Sequence, residues 1–312
     1  MDLLNSLHLK LALLVTTVVA AAAAEAQTKP GCNYKCGNVS IPYPFGTSNN
    51  CHTDDGYFIN CTTTTNSSSS SAQPIAHLNH SRIQVLNISL DPPELIVSAK
   101  VSYHCNNSSY SYNGMLFRKF SFSNTKNRFI VVGCDTYADF SDLDSSFSTG
   151  CSLRCSKETR FEGAGACSGV GCCQTSFPQA ISNYIITLKS SNNYTKVRDF
   201  NPCGYAFIAQ EGSFNFSKRD LRDLSNRTEF PVVLDWAVSN QTCREAQKDE
   251  RSYACKQNSR CKDSVSGIGY YCVCEDGFRG NPYLDTGCKG KPQSALAISE
   301  TELLCFQLTT KV

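Results

Sequence analysis

The sequence predicts a mainly β, disulfide-rich protein in which a β-sheet domain is followed by a small cysteine-rich module. Three observations support this fold class. The chain has 19 cysteines in 312 residues, a density that is rare in reduced cytosolic proteins. Short runs of β-branched and aromatic residues are separated by Gly, Asn, Pro and Ser, and no 3.6-residue periodicity persists. The apolar fraction of 41% is sufficient for packed cores, which excludes a wholly disordered chain.

Residues 1–26 have the features of a secretory signal peptide. Leu11 to Ala24 is a stretch of fourteen residues without a charge, and Ala24-Glu25-Ala26 supplies the small-x-small pattern of a cleavage site. The stretch is shorter than the ~20 apolar residues that a membrane-spanning helix needs. We therefore expect cleavage after residue 26 and secretion. No later run is long and apolar enough to predict a membrane span in this sequence.

Asn-x-Ser/Thr sequons support the secretory assignment. The chain has eleven of them, all before Cys243. Asn60 has Cys61 as its middle residue, and Asn106 competes with its neighbour, so nine sites are expected to carry glycans on exposed loops. These nine are Asn38, Asn66, Asn79, Asn87, Asn107, Asn193, Asn215, Asn226 and Asn240.

Residues 27–242 form the predicted β-sheet domain. Strands are expected at 83–90, 95–101, 115–122, 129–133 and 184–188. Twelve cysteines allow six bridges, and adjacent Cys172 and Cys173 need separate partners because a bond between neighbours is strained. The run TTTTNSSSSS at 62–71 is expected to form a loop.

Residues 243–288 form the predicted cysteine-rich module. It contains Cys243, Cys255, Cys261, Cys272, Cys274 and Cys288. This density is typical of a domain too small to be stabilised by a hydrophobic core alone. Spacing alone leaves fifteen pairings open. The last segment, 289–312, contains the odd cysteine, Cys305, and is expected to be a disordered tail.

Charge and motifs exclude several function classes. Lys and Arg total 29 against 27 Asp and Glu, whereas a protein that binds nucleic acid through phosphates usually has a basic excess. No HExxH, GxSxG or GxGxxG motif is present, so we expect neither enzymatic activity nor a cofactor. His77 and His80 have a spacing that suits a metal, but surface positions are commoner for such residues, and no metal site is predicted.

Several longer motifs carry a resemblance to a known family. CGNVSIPYPFG, at 36–46, resembles the opening of the galacturonan-binding extracellular domain of plant wall-associated receptor kinases. TKNRFIVVGCDT at 125–136, GVGCCQTSFP at 169–178 and VVLDWAV at 232–238 resemble later parts of that domain in the same order. GFRGNPYLD, at 277–285, resembles the end of the family's first epidermal-growth-factor-like (EGF-like) repeat.

The resemblance covers about residues 32–288. It implies a galacturonan-binding-like domain at 27–242 and one EGF-like module at 243–288. For that module it implies the pairs Cys243–Cys261, Cys255–Cys272 and Cys274–Cys288. The sequence leaves the family pattern after Gly290, and it contains no motif of the family's membrane helix or kinase.

A basic stretch supplies the predicted binding residues. No acidic residue lies between Glu94 and Asp135, but five basic residues do: Lys100, Arg118, Lys119, Lys126 and Arg128. If 115–123 and 128–133 pair as a hairpin, alternation exposes Lys119, and the turn groups the last two cations. A galacturonan carries one carboxylate per sugar, so a row of cations suits it. The simpler interpretation is a solvated edge whose lysines discourage strand pairing.

Two functions therefore remain open. The first is a secreted, non-enzymatic module of the cell wall that binds acidic polysaccharide, namely pectin and its oligogalacturonides. The second is a protein-interaction or regulatory ectodomain that contacts another cell-surface receptor or a secreted protein.

Overall fold

The computed structural model describes residues 27–63, 73–106, 108–110, 119–156, 159, 165 and 167–290. The predicted signal peptide and most of the C-terminal segment, including Cys305, lie outside the described residues. So do three of the predicted site residues, Asn66, Asn107 and Arg118.

Short antiparallel strands dominate the described residues, which confirms the mainly β, disulfide-rich fold class. The helical parts are the 3₁₀ turns Asp55–Tyr57 and Lys218–Leu221 and a four-residue helix, α1 (Cys243–Ala246). The strands are β1 (Lys35–Cys36), β2 (Val39–Ser40), β3 (Ile59–Thr63), β4 (Pro74–Leu78), β5 (Val85–Leu90), β6 (Pro93–Lys100), β7 (Ser102–Cys105), β8 (Ser109–Tyr110), β9 (Phe120–Phe122), β10 (Asn127–Val132), β11 (Thr136–Ser141), β12 (Ser148–Leu153), β13 (Cys172–Thr175), β14 (Ile185–Ser190), β15 (Cys203–Gln210), β16 (Glu229–Trp236), β17 (Ser259–Asp263), β18 (Tyr270–Cys274), β19 (Phe278–Gly280) and β20 (Cys288–Gly290).

Two larger sheets position the surfaces discussed below. A five-stranded sheet has the order β13-β10-β15-β7-β8, and a four-stranded sheet has the order β5-β6-β16-β9. In β6, Leu95, Val97 and Ala99 are buried and alternate with more exposed residues, the pattern of a strand with one face on a core. Strand β15 is buried from Gly204 to Ala209, because it lies between β10 and β7 and packs against β16.

Aromatic side chains connect these layers in the core. Trp236 is 1% exposed, and its ring contacts those of Phe45 and Tyr57 edge-on, at centroid distances of 5.4 and 6.1 Å. The Tyr57 hydroxyl donates to the carbonyl of Ala237 at 2.5 Å, which satisfies a buried polar group. Phe45 and Trp236 belong to two of the family-like motifs, so each of these motifs contributes an aromatic ring to the core.

The predicted hairpin between 115–123 and 128–133 is wrong. Strand β9 pairs with β16 in the four-stranded sheet, whereas β10 pairs with β13 and β15 in the five-stranded sheet. Buried Asn127 holds the chain at this crossing: its amide donates to the carbonyls of Ser123 and Val233 at 2.7 and 2.8 Å and accepts from the Val233 amide at 2.9 Å. The segment that looks like a hairpin turn is therefore a connection between two sheets.

Nine disulfides join cysteines in the described part of the chain. Before Cys243, Cys172 and Cys173 have separate partners, as expected. The pairs in this region are Cys32–Cys51, Cys36–Cys61, Cys105–Cys203, Cys134–Cys155, Cys151–Cys173 and Cys167–Cys172. The remaining pairs are those that the resemblance implies: Cys243–Cys261, Cys255–Cys272 and Cys274–Cys288.

The C-terminal six-cysteine region packs directly on the β-sheet region. Asn281 is 1% exposed, and its side-chain amide donates to the carbonyls of Gln27 and Tyr43 at 2.8 and 2.6 Å. The Tyr283 ring lies 5.8 Å from that of Trp236, and burial raises the pKa of its hydroxyl. The two regions therefore share part of one hydrophobic core.

Candidate functional site

Lys119 lies at the start of β9 and is already neutralised by an acid from elsewhere in the chain. Its ammonium nitrogen lies 3.2 Å from a carboxylate oxygen of Asp54. The Lys119 side chain is 27% exposed and that of Asp54 42%. The predicted exposed cation is therefore half-buried and paired.

Lys126 and Arg128 lie together where β10 begins, and each has its own acidic partner. Lys126 forms an ion pair with Glu94. The Arg128 guanidinium lies 3.2 Å from Glu211 and donates to the carbonyl of Asn127 at 3.0 Å. The backbone amide of Glu211 donates to the Lys126 carbonyl at 2.8 Å, which fixes the two cations near one another. In three dimensions, the stretch that lacks acids in the sequence has an acid beside each of these cations.

A half-buried carboxylate lies beside this cluster. Asp235 on β16 stands directly opposite Glu94 on β6, so two like charges face each other across the sheet. Burial, with a smaller contribution from Glu94, raises the pKa of Asp235 from 3.8 to about 6. A hydrogen bond from Ser123 and the charge of Lys126 act in the opposite direction. The positive charge of Lys126 therefore interacts with two carboxylates, those of Glu94 and Asp235.

Lys100 lies apart from the other predicted cations. It ends β6, six residues from Glu94, which places it about 20 Å from the Lys126 ion pair along the strand. The predicted binding residues therefore do not form one continuous surface. Lys100 instead borders a cavity of about 610 Å³, within the range of about 300–1,000 Å³ that is typical of ligand pockets.

A row of three tyrosines lines one side of this cavity. Tyr205, Tyr103 and Tyr110 occupy directly opposed positions on β15, β7 and β8, and opposed residues project from the same face of a sheet. Tyr205 is 7% exposed, whereas Tyr103 and Tyr110 are 36% and 39% exposed. The two exposed rings stack with centroids 6.0 Å apart and planes 25° apart. We call Tyr205, Tyr103 and Tyr110 the tyrosine row.

The opposite side of the cavity is the segment 222–229, which carries two arginines. Arg222 is exposed. The Arg227 guanidinium lies over the rings of Phe214 and Phe230, 4.7 and 5.0 Å from their centroids, and 3.9 Å from Asp220. Stacking on both rings holds the guanidinium in place while 38% of the side chain remains exposed. The cavity thus combines aromatic faces with cations.

Two carboxylates also line the cavity, and both are hydrogen-bonded to neighbouring serines. Asp223 accepts from the Ser225 amide at 2.7 Å, and the Ser225 interaction holds the pKa of this carboxyl below its usual value. Glu229 accepts from the hydroxyl of Ser98 at 2.6 Å. The lining therefore contains both charge-assisted donors and acceptors.

Of the residues around this cavity, sequence reasoning identified Lys100 alone. Tyr103 and Tyr110 lie within the acid-free stretch and carry no pattern of their own. Arg222 and Arg227 are separated from them in sequence and come into proximity through the pairing of β15 with β7 and of β16 with β6. No local sequence pattern marks these four residues as neighbours.

Neither a metal centre nor a membrane-spanning helix is found in the described ranges. Within them, no three His, Cys, Asp or Glu side chains are grouped in a way that could hold a metal ion. None of the helices in that part of the protein is long and apolar enough to cross a bilayer. His77 instead hydrogen-bonds Thr62 at 3.2 Å.

Fold and site together define a class: a disulfide-rich, antiparallel β-sheet protein whose surface cavity carries tyrosine rings and cations. Residues 32–99 match the family described as wall-associated receptor kinase galacturonan-binding. The resemblance that the sequence motifs indicated is thereby confirmed, and the similarity to wall-associated receptor kinases extends over most of the chain.

Individual relatives agree with the family match. Three Arabidopsis thaliana proteins are similar to the chain: wall-associated receptor kinase 5 is 38% identical over 273 residues, kinase 2 is 36% identical over 270, and kinase 1 is 35% identical over 279. The alignments cover 84–85% of this chain. The chain spans about a third of the length of these relatives, 35% in each case. No solved structure matches the chain.

Proposed function

We propose that this chain is a non-enzymatic binding ectodomain that recognises acidic cell-wall polysaccharide, with pectic galacturonan as the ligand class. The observation that carries the proposal is the match of residues 32–99 to a family described as galacturonan-binding. The proposal places the chain outside the cell, in contact with the wall, with residues 1–26 removed and with glycans on its sequons. The nine disulfides are consistent with an oxidising compartment.

The proposed organisation keeps the boundaries read from the sequence. A galacturonan-binding-like domain spans 27–242, and an EGF-like module spans 243–288. The shared core around Trp236 and Tyr283 supports a fixed arrangement of the two rather than independent movement. Polysaccharide bound to one region is therefore presented at a defined position relative to the other.

Cations must supply the attraction, because the ligand carries a carboxylate on each sugar. The chain has a formal net charge of only +2, so overall charge cannot attract a polyanion strongly. A single exposed ion pair contributes only about 0–1 kcal/mol, so useful affinity needs several contacts on a repeating polymer. Local arrangement of cations therefore decides binding.

The proposal is tested by the retention of the secreted, glycosylated chain on immobilised polygalacturonate. We expect retention at low salt and release as sodium chloride is raised, because salt screens exposed charge pairs. Highly methyl-esterified pectin is the matched control, since it has the same backbone with few free carboxylates, and it should retain little protein. Equal retention on both materials would show that the free carboxylates of the sugar do not drive binding.

The paired cations receive a separate test. The triple variant Lys119→Ala, Lys126→Ala and Arg128→Ala removes three charges whose acidic partners remain. Because the structure shows each of them neutralised, we expect a modest loss of polygalacturonate binding. Lys196→Ala with Arg198→Ala, on exposed positions, is the control for loss of positive charge. Complete loss in the triple variant alone would make this cluster the main binding surface.

One observation favours protein contact as a second function. Val265 and Ile268, in the loop that joins β17 to β18, are 68% and 48% exposed. Two exposed apolar side chains at one loop tip suit contact with another protein, such as a cell-surface receptor. The variant Val265→Ser with Ile268→Ser separates the functions, because polysaccharide binding should be unaffected by it.

A further inference from the structure

We propose that the cavity between the tyrosine row and segment 222–229 is a binding site for a short acidic sugar segment, with a sugar ring packed against the exposed Tyr103–Tyr110 pair and its carboxylate on Arg222 and Lys100. This inference rests on the proposed function and adds a location to it. All residues that line the cavity lie outside the matched residues 32–99, so the family match does not assign it.

The exposed tyrosines provide the stacking surface. Tyr103 and Tyr110 leave more than a third of each residue in water, although each is large and apolar over most of its ring. The C–H face of a sugar ring is apolar and slightly positive, which complements the negative face of an aromatic ring. Tyrosine also loses little conformational freedom on binding, because it has only two side-chain torsions. Because the two rings stack on each other, a sugar ring would contact the part of the pair that this stack leaves exposed.

Two cations beside this surface have charge available for a ligand. In the described ranges, neither Lys100 nor Arg222 forms an ion pair within 4.0 Å, in contrast to Lys119, Lys126 and Arg128. Glu229 stands opposite Lys100 across the β6–β16 pair without forming such an ion pair. A guanidinium binds a carboxylate through two parallel hydrogen bonds, which gives orientation as well as attraction. These cations therefore suit a uronic acid better than a neutral sugar.

The carboxylates of the lining fit the same ligand. Asp223 accepts hydrogen bonds from Ser225, Glu229 accepts one from Ser98, and an ionised carboxylate has further lone pairs. Sugar hydroxyls are donors that can use them. A ring that presents its carboxylate to the arginine and its hydroxyls to these acids satisfies both kinds of group, whereas a simple anion satisfies only the cations.

The cavity walls are held in place before any ligand arrives. The Cys105–Cys203 disulfide joins β7 to β15 at opposed positions beside the tyrosine row. On the opposite wall, the Leu224 amide donates to the Tyr205 hydroxyl at 3.4 Å. Preorganised walls reduce the entropy lost on binding.

The test measures affinity for trigalacturonate by calorimetry, using the secreted chain and two single variants, Tyr103→Ala and Arg222→Ala. Each variant is expected to bind about tenfold more weakly, the size of effect typical of tyrosine and arginine anchors. Tyr137→Ala and Arg219→Ala are the matched controls. Tyr137 is a 40% exposed tyrosine on β11, and Arg219 lies in the 3₁₀ turn that precedes Arg222 but does not line the cavity. Both controls should bind like the parent.

All proteins are compared after enzymatic removal of N-glycans, because the sequon at Asn226 lies next to Arg227 at the cavity. If the parent binds polygalacturonate and trigalacturonate but both cavity variants bind as well as the controls, the location is wrong and the proposed function stands. If the parent protein binds neither polygalacturonate nor trigalacturonate, both the proposed function and the proposed location are wrong. Arg222 is on the surface, so its variant keeps the test decisive even where Tyr103→Ala fails to fold.

Discussion

Replacing Asp235 by Asn should make the protein more stable at neutral pH. Asp235 is half-buried on β16 and faces Glu94 across the strand pair, and burial raises its pKa to about 6. Asparagine has nearly the same shape and can still accept the hydrogen bond from Ser123, but it carries no charge. The substitution therefore removes the unfavourable desolvated charge and leaves the packing in place.

The size of the effect follows from linkage between protonation and folding. The carboxyl is a stronger acid in the unfolded chain, at its ordinary pKa of 3.8, than in the folded protein, at about 6. Ionisation therefore favours the unfolded state, and the contribution of Asp235 to stability falls as pH rises from about 4 to 6. The full displacement corresponds to at most about 3 kcal/mol, and partial exposure reduces it, so we expect about 1–2 kcal/mol.

The assay is urea denaturation of the parent and Asp235→Asn at several pH values between 4 and 8. Near pH 4 the two free energies of unfolding should be similar, because the folded parent is protonated at Asp235. Above about pH 6 the variant should be more stable, and the difference should then stop growing. A difference that is independent of pH, or a variant that is less stable at pH 7, would refute the assignment of a raised pKa to this carboxyl.

Three further predictions follow from the same structure. Asn281→Ala removes the hydrogen bonds to the carbonyls of Gln27 and Tyr43 and should lower the free energy of unfolding by about 2–3 kcal/mol in urea denaturation; an unchanged value would contradict the docking of the C-terminal region. Replacing Cys255 and Cys272 by serine should lower the free energy of unfolding by about 2–5 kcal/mol and reduce secretion, measured as protein recovered from the medium. Lys126→Ala should raise the pKa of Asp235 further, which would shift the pH dependence described above to higher pH; no shift would show that the cation does not act on that carboxyl.

The fold class could be predicted from the sequence because cysteine density and strand composition are local signals. Strands β5, β6, β10 and β14 overlap the predicted runs 83–90, 95–101, 129–133 and 184–188, which are rich in β-branched and aromatic residues. The pairing of strands is not local. Nothing in the run from Phe120 to Val132 shows that Asn127 is buried between two sheets, so a contiguous hairpin was the natural but wrong expectation.

The charge of the candidate site also depends on contacts that are not local in sequence. The stretch between Glu94 and Asp135 lacks acids along the chain, yet folding brings Asp54, Glu94 and Glu211 to its cations. An exposed surplus of positive charge therefore cannot be inferred from sequence intervals. The cavity lined by the tyrosine row was also beyond sequence reasoning, because its lining combines residues 100–110 with residues 203–229.

The central claim, that this chain binds an acidic polysaccharide through charge, is tested most directly by titrating the secreted protein with polygalacturonate in a calorimeter at two sodium chloride concentrations. We expect saturable binding whose affinity falls clearly at the higher salt, because the exposed cations and the sugar carboxylates are then screened from each other. Absence of saturable binding at the lower salt, or an affinity that salt does not change, would contradict it.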